Sequence, residues 1–423
     1  MGRAALSGTH TLRALMAIQA LSMGAMDMSG PFWPAHLRAL GHLSPAATAR
    51  VAALAYALPL TFAMVSAPIW GRLADRRGHK PMVLRALAAL SATQAWIAFS
   101  DDVVAVLVAR AAQGALGGFI AAAQGYALRL TSRSTSTPGP DAGARESGAV
   151  IAKLQSAAAA GAIVGPALGG WLVGCAGFRS LNVLASLICA ACAVLAWWAL
   201  PAIAPGLPTE ATTEAPGCDP VRERAVGLGA GLLFGVFFTQ AAEGLPQSFV
   251  GLYSERVLAL LPGAIGLCQG ALAFGSCFGA FAWAGAGSRA SAPAMLAQAS
   301  GLAGICAVMA LVLAPGVSLP VIVAAHAVWG LALGALLPIL PALLARAAPA
   351  GREGDVAARV QSATKGGALA GTLTGGIALA TLPLASLMWL VAAGYVGGAA
   401  VLLGVRHRLS RSSPPSSRAR GHS

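Results

Sequence analysis

The sequence predicts an all-α membrane protein: twelve spanning helices in two parallel-repeat six-helix bundles. Three observations predict it. The 423 residues are 57% hydrophobic and only 10% charged, with a mean hydropathy of +0.73. A soluble domain carries about 25% charged residues, so this chain has too little polar surface to stay dissolved. The same composition is the opposite of a disordered one. Second, twelve apolar stretches of spanning length lie between polar breaks. Third, the second half repeats the first in the same direction.

The stretches run 12–40, 47–72, 81–99, 103–130, 147–175, 179–200, 225–254, 261–284, 292–314, 317–345, 356–380 and 384–405. In the first, the apolar run Leu15 to Ala25 follows Arg3 and Arg13 and continues past Asp27 and Pro31 to Leu40. It therefore reads as a span rather than a cleaved signal. The break between spans 9 and 10, Ala314 to Ser318, carries no charge and rests on turn residues alone. The longest polar stretches are 131–146 and 201–224. The second is rich in Pro, Thr and Glu and divides six spans from six, as a linker would. The domains are then 1–200, a linker 201–224, 225–405, and a basic tail 406–423 expected to be a disordered, lipid-facing anchor.

Net charge is +14, and 22 of the 28 Lys and Arg fall on the side that carries both termini. Basic loops face the cytoplasm, so the termini are placed there and the chain in the cytoplasmic membrane. Basic residues in loops set topology, and no nucleic-acid partner is expected. Six of the 7 cysteines lie in or beside apolar segments. Cys189 and Cys192 have CxxC spacing but no partner ligands, so packing is the expected role, with no metal and no cofactor. No GxxxxGK[ST], HExxH or GxSxG motif occurs, so neither an enzyme nor direct ATP drive is expected. The expected partners are a small-molecule substrate, protons and the bilayer, and the expected state is a monomer.

Residues 146–170 align with 352–376 at a constant offset of 206, matching Gln155 with Gln361, Ser156 with Ser362, and Gly161, Gly165 and Gly169 with Gly367, Gly371 and Gly375. At an offset of 216, Asp27 of span 1 answers to Glu243 of span 7, and Arg110 of span 4 to His326 of span 10.

Several motifs carry mechanism. The loop after span 2 reads Gly71-Arg72-Leu73-Ala74-Asp75-Arg76-Arg77-Gly78-His79-Lys80. Gly71 and Gly78 are expected to permit a tight reversal, and Asp75 to pair with a basic neighbour or meet a helix N-terminus. Span 4 carries Arg110 and Gln113 before Gly114; an Arg at this depth needs a partner, a wet cavity, or a short reach to the interface. In span 5, Gly161, Gly165 and Gly169 form a smooth face for close packing, and Pro166 removes a backbone bond and is expected to bend the helix. Span 1 reads Asp27-Met28-Ser29-Gly30-Pro31-Phe32-Trp33-Pro34.

These motifs resemble those of the major facilitator superfamily: G-x-L-a-D-r-x-G-r-k in the loop, R-x-x-q-G in span 4, and the "antiporter" motif g-x-x-x-G-P-x-x-G-G in span 5. Span 1 is similar to the P-x-x-P end of a fourth motif. His79 departs from the loop pattern, which has a basic residue there. The resemblance covers nearly the whole chain. It implies the major facilitator fold, an all-α arrangement of the two six-helix bundles around a central cavity, a cytoplasmic latch at Gly71, Asp75, Arg76 and Gly78, and proton-driven export of a drug or a secreted metabolite such as a siderophore. A proton-coupled importer of a sugar or organic acid, and a transport-dead sensor, are the alternatives. The four charges inside spans are Asp27, Arg110, Glu243 and Lys365. Asp27, Arg110 and Glu243 are the proton-coupling candidates; Gln113, Lys365 and His326 are the cavity candidates. Static pairing that only fixes packing is the bland alternative.

Overall fold

In the computed structural model the described residues are 2–134, 140–202, 220–286, 290–346 and 353–412, and they contain helices and no strand. Helix α1 (Gly2–Asp27) passes through a 3-10 turn, Gly30–Phe32, into α2 (Trp33–Gly41) to complete span 1. Span 2 is α3 (Pro45–Arg77), capped by Ser44, whose hydroxyl accepts from Ala47 N at 3.3 Å. Span 3 is α4 (His79–Ala98). Span 4 divides into α5 (Val103–Leu116), capped by Asp102, and α6 (Phe119–Ser134). Spans 5 and 6 are one run, α7 (Pro140–Ala199), parted at Gly177 with φ 80° and ψ 172°. Only glycine sits there without strain.

The second half repeats this. Span 7 is α8 (Pro220–Gly244), a 3-10 turn at Leu245–Ser248, and α9 (Val250–Arg256). Then come α10 (Pro262–Ala286) and α11 (Ala292–Val312). After a turn holding Gly316 at φ 82°, span 10 divides into α12 (Leu319–Leu336) and α13 (Ile339–Arg346). Last are α14 (Glu353–Thr381) and α15 (Leu387–Ser412). Two domain edges differ from the sequence reading. Helix α8 begins inside the expected linker, and α15 runs on through residues 406–412 rather than yielding to a tail. The linker core 203–219 and the tail 413–423 lie outside the described residues.

By length and apolarity alone, seven of the described stretches qualify as membrane spans, one of them covering 153–199 on both sides of Gly177. Those that fall short carry charges or helix breaks: Asp27 and the Gly30 turn in span 1, Lys80 and Arg85 in span 3, Glu243 in span 7 and Lys365 in span 11. Large apolar side chains point outward, Trp198 being 81% and Phe281 79% exposed. That is unfavourable in water and natural against lipid chains.

Each half has its own core. One is built from Leu15, Leu87, Tyr126 and Cys189, the other from Phe249, Trp329, Tyr395 and Leu402. Within each half the glycine stripes draw helices together. The carbonyls of Ala20 and Gly24 on α1 and of Met28 just beyond it lie where Cβ atoms of Gly161, Gly165 and Gly169 would be. In the second half, Phe237 and Ala241 of α8 and Leu245 of the turn that follows it stand in the same way against Gly367, Gly371 and Gly375 of α14. The two crossings are one motif used twice.

Candidate functional site

The halves enclose a cavity of about 990 Å³. At the end away from the termini the halves touch. Gly251 of α9 meets the Pro31 carbonyl, and Gly170 and Gly266 bring α7 against α10. Ile265 joins Met28, Phe32 and Leu181 there in a small apolar plug. At the terminal end Gln155, Gln361 and Ile120 line the cavity and are exposed. The cavity is thus closed at the far end and open on the side of the termini.

Four expected site residues line this space: Asp27, Arg110, Gln113 and Lys365. Arg110 is tightly held. Its Nε donates to the Ala55 carbonyl at 2.8 Å, its Nη1 to Gln113 Oε1, and its guanidinium stacks 4.9 Å from the Trp33 ring centre. Gln113 and Gln94 in turn donate to the Met26 sulfur at 3.7 and 3.6 Å. Arg110 thereby points into the protein rather than the lipid. It forms no ion pair with Asp27, and neither Asp27 nor Lys365 has a hydrogen bond or ion pair among the described residues. No direct Asp27–Arg110 bond is present in this state, and Ala55, Gln113 and Trp33 position the guanidinium.

Two expected residues lie elsewhere. Glu243 is absent from the cavity lining and accepts from Gln240 Nε2 at 2.6 Å within its own half. The cause is register. Ala20, Gly24 and Met28 answer to Phe237, Ala241 and Leu245, each 217 residues on rather than 216. Glu243 therefore corresponds to Met26, and Asp27 to Gly244. One residue turns a side chain about 100° around a helix, enough to take a carboxyl off the cavity wall. His326 is wholly buried, its Nδ1 at 2.8 Å from the Ile322 carbonyl of its own helix, and it packs beside Trp329. It too corrects the expectation of a cavity residue.

The conformational motifs are distributed as follows. Gly78, at φ 88° and ψ 160°, makes the reversal between α3 and α4. Gly71 lies inside α3, where a Cβ would meet nothing within 4 Å, so it takes no part in the turn. Arg76 is exposed, and the Asp75 side chain lies outside the described residues. Pro166 lines the cavity, and α7 continues through it as helix, with Gly177 its non-helical residue.

Sequence reading misses two sets of residues. Besides Gln113, the lining holds Gln124, Gln155, Gln247, Gln269 and Gln361. Amides inside apolar stretches are costly without a partner or water, and that cost is the available signal; in the sequence, Gln155 and Gln361 serve only to mark the repeat. The second is Arg85. Span 4 breaks at Gly117 and Gly118, the latter at φ 77°. Arg85 Nη2 donates to the freed Gly117 carbonyl at 2.7 Å while its guanidinium lies 3.5 Å from the Trp70 ring centre, and Trp70 Nε1 donates to Ala115 O at 2.7 Å.

The family model of the Major Facilitator Superfamily matches residues 15–363. A multidrug resistance protein MdtG of Yersinia enterocolitica is 28% identical over 178 residues, covering 42% of this chain and 40% of that protein. A staphyloferrin B transporter of Staphylococcus aureus is 30% identical over 176 residues, again 42% and 40%. The matched stretch thus spans less than half the length of these curated relatives. Among solved structures, a peptide transporter POT in complex with sulfate superposes with a TM-score of 0.74 at 14% identity, covering 95% of each chain. The human organic anion transporter MFSD10 does so at 0.63 and 16%, covering 95% of this chain and 99% of that one. At such identities the likeness speaks for the fold.

Proposed function

The chain belongs to the Major Facilitator Superfamily, and on that premise we propose that it exports a small organic molecule across the cytoplasmic membrane, driven by proton entry. One observation carries this reading: a cavity between two repeated halves, sealed at one end and open at the other, with a carboxyl at Asp27 that is unpaired among the described residues. A carboxyl that meets each aqueous side in turn loads a proton from one and releases it to the other. Rocking of the halves would break the Pro31–Gly251 and Gly170–Gly266 contacts and close the terminal side. Alternation of this kind exposes a fixed site to each side in turn. The glycine crossings of α1 on α7 and of α8 on α14 would keep each half rigid while this happens. The names of the two relatives, one for multidrug resistance and one for siderophore transport, support export as the direction. Both termini are then cytoplasmic, and the open end of this state faces the cytoplasm.

The test compares the small molecules in medium from cells with and without the chain, with and without a protonophore. A compound that accumulates outside only when the chain and the proton gradient are both present supports export. A compound depleted from the medium under the same two conditions would reverse the direction.

A further inference from the structure

Three formal charges line the cavity, and none pairs with another. Asp27 stands on α1, Arg110 on α5 and Lys365 on α14. Arg110 is anchored by neutral partners, the Ala55 carbonyl and the Gln113 amide, which orient its charge without cancelling it. The remaining ionisable group among the described lining residues, the Tyr56 hydroxyl, donates to the Gly30 carbonyl. Intramembrane charges are costly unless they meet water, each other or a ligand. Among the described residues the protein supplies no counter-ion here, so the pattern left for a ligand is one negative site and two positive ones.

The rest of the lining mixes apolar side chains, among them Met26, Leu60, Leu90 and Leu272, with amides. Six glutamines each offer both donors and an acceptor. Of the aromatic rings in the lining, Trp33 already carries the Arg110 guanidinium on its face. A lipophilic cation would need open ring faces and acidic groups, and this cavity has a surplus of basic ones.

The geometry points to a binding site for an amino-polycarboxylate: a molecule with one ammonium group for Asp27 and at least two carboxylates for Arg110 and Lys365. The Arg110 Nη2, without a hydrogen bond among the described residues, is left for a carboxylate, and Lys365 offers a mobile point charge. Asp27 and Arg110 belong to one half and Lys365 to the other, so the ligand would tie the halves together. Its ammonium would also compete with the proton for the Asp27 carboxylate. Competition of that kind makes the two passengers exchange, which rests on the export reading only for its direction.

The test is calorimetric titration of the purified full chain in detergent with three probes: glutamylglutamate, its N-acetyl form, which lacks the ammonium, and lysyllysine. Glutamylglutamate should bind at least about tenfold tighter than the N-acetyl form, the size of one lost charge pair. In Asp27→Asn that gap should shrink to within about threefold, and Lys365→Gln should weaken both peptides by about tenfold. Lysyllysine binding more tightly than glutamylglutamate overturns the proposal. So do equal affinities of the two acidic peptides in the unaltered chain, an unchanged affinity in Lys365→Gln, or no binding of either acidic peptide. No membrane or gradient enters this measurement. Export can therefore fail in everted vesicles while the charge pattern holds, and proton-driven efflux of lysyllysine would uphold export while sinking this assignment.

Discussion

Replacing Gly165 by Ala should loosen the N-terminal half, whereas the same change at Gly174 on the same helix should not. A Cβ at Gly165 would come within 3.0 Å of the Gly24 Cα and 3.1 Å of its carbonyl carbon, with the carbonyl oxygen nearer still. These are backbone atoms of α1, which cannot swing aside as the end of a side chain can, so the two helices must part. At Gly174 nothing lies within 4 Å. Both changes gain the same helix propensity, about 1 kcal/mol, so their difference isolates the overlap. Overpacking of this kind costs roughly 1–3 kcal/mol. For a half of about 200 residues that corresponds to a gap of roughly 2–12 °C between the two unfolding midpoints. Cys189 and Cys192 are buried free thiols in the same half, and heating with a thiol-reactive fluorogenic dye reports their exposure. Gly371→Ala, whose Cβ would lie 2.9 Å from the Ala241 Cα, should behave like Gly165→Ala, read through the buried Cys268 and Cys306. Gly165→Ala melting at or above Gly174→Ala would refute the close-packing argument.

Three further outcomes are expected. Asp27→Asn should abolish proton-driven export yet retain exchange of labelled for unlabelled substrate across vesicle membranes; full gradient-driven export by this variant would remove Asp27 from coupling. Arg110→Lys loses the Nε bond to Ala55 and the guanidinium's place over the Trp33 ring. If the misplaced charge also loses one charge-assisted bond to a ligand carboxylate, worth about 1.5–3 kcal/mol, glutamylglutamate affinity should fall roughly 10- to 150-fold, and an unchanged affinity counts against the role given to the guanidinium. Gly266→Leu would push a side chain into the Gly170 Cα, 3.0 Å from a Cβ, and into the Pro166 carbonyl. It should hold the far end open, so that a cysteine placed at Gln155 reacts more slowly with a soluble maleimide; faster labelling would contradict the assignment of the closed end.

Much of the fold is legible in the sequence because its signals are local and strong. Length and apolarity mark a span, a glycine at positive φ marks a reversal, as at Gly78 and Gly316, and a repeat of Gly every fourth residue marks a close helix crossing. The break of span 4 is not legible. Gly117 and Gly118 sit inside a continuous apolar run, and what stabilises the break is Arg85 and Trp70 from other helices. Gly71 misleads for the opposite reason. Its glycine identity suggests a turn, but nothing in this state crowds it, so its sequence neighbours alone cannot place it. In the site, Asp27, Arg110, Gln113 and Lys365 stand out because charge and amide groups are rare in apolar spans. Which way a side chain faces is a different question, and a sequence offset answers it only to the nearest residue.

That one-residue uncertainty has a physical consequence for transport. Had α8 met α14 in the register of offset 216, Glu243 would stand where Asp27 stands, and the cavity would hold two acids against two bases. It would then be neutral overall, with two competing proton sites. The observed register turns Glu243 toward Gln240 and puts Gly244, the counterpart of Asp27, against Ala368 of α14, where a Cβ would come within 3.2 Å of the Ala368 Cα. A side chain at that position would force the helices apart, so the second half cannot carry an acid there and keep its crossing. The asymmetry between otherwise repeated halves thus follows from packing. Among the described residues one half presents the carboxyl of the cavity lining and the other presents Lys365, and the surplus of positive charge that selects the ligand is a product of where two helices touch.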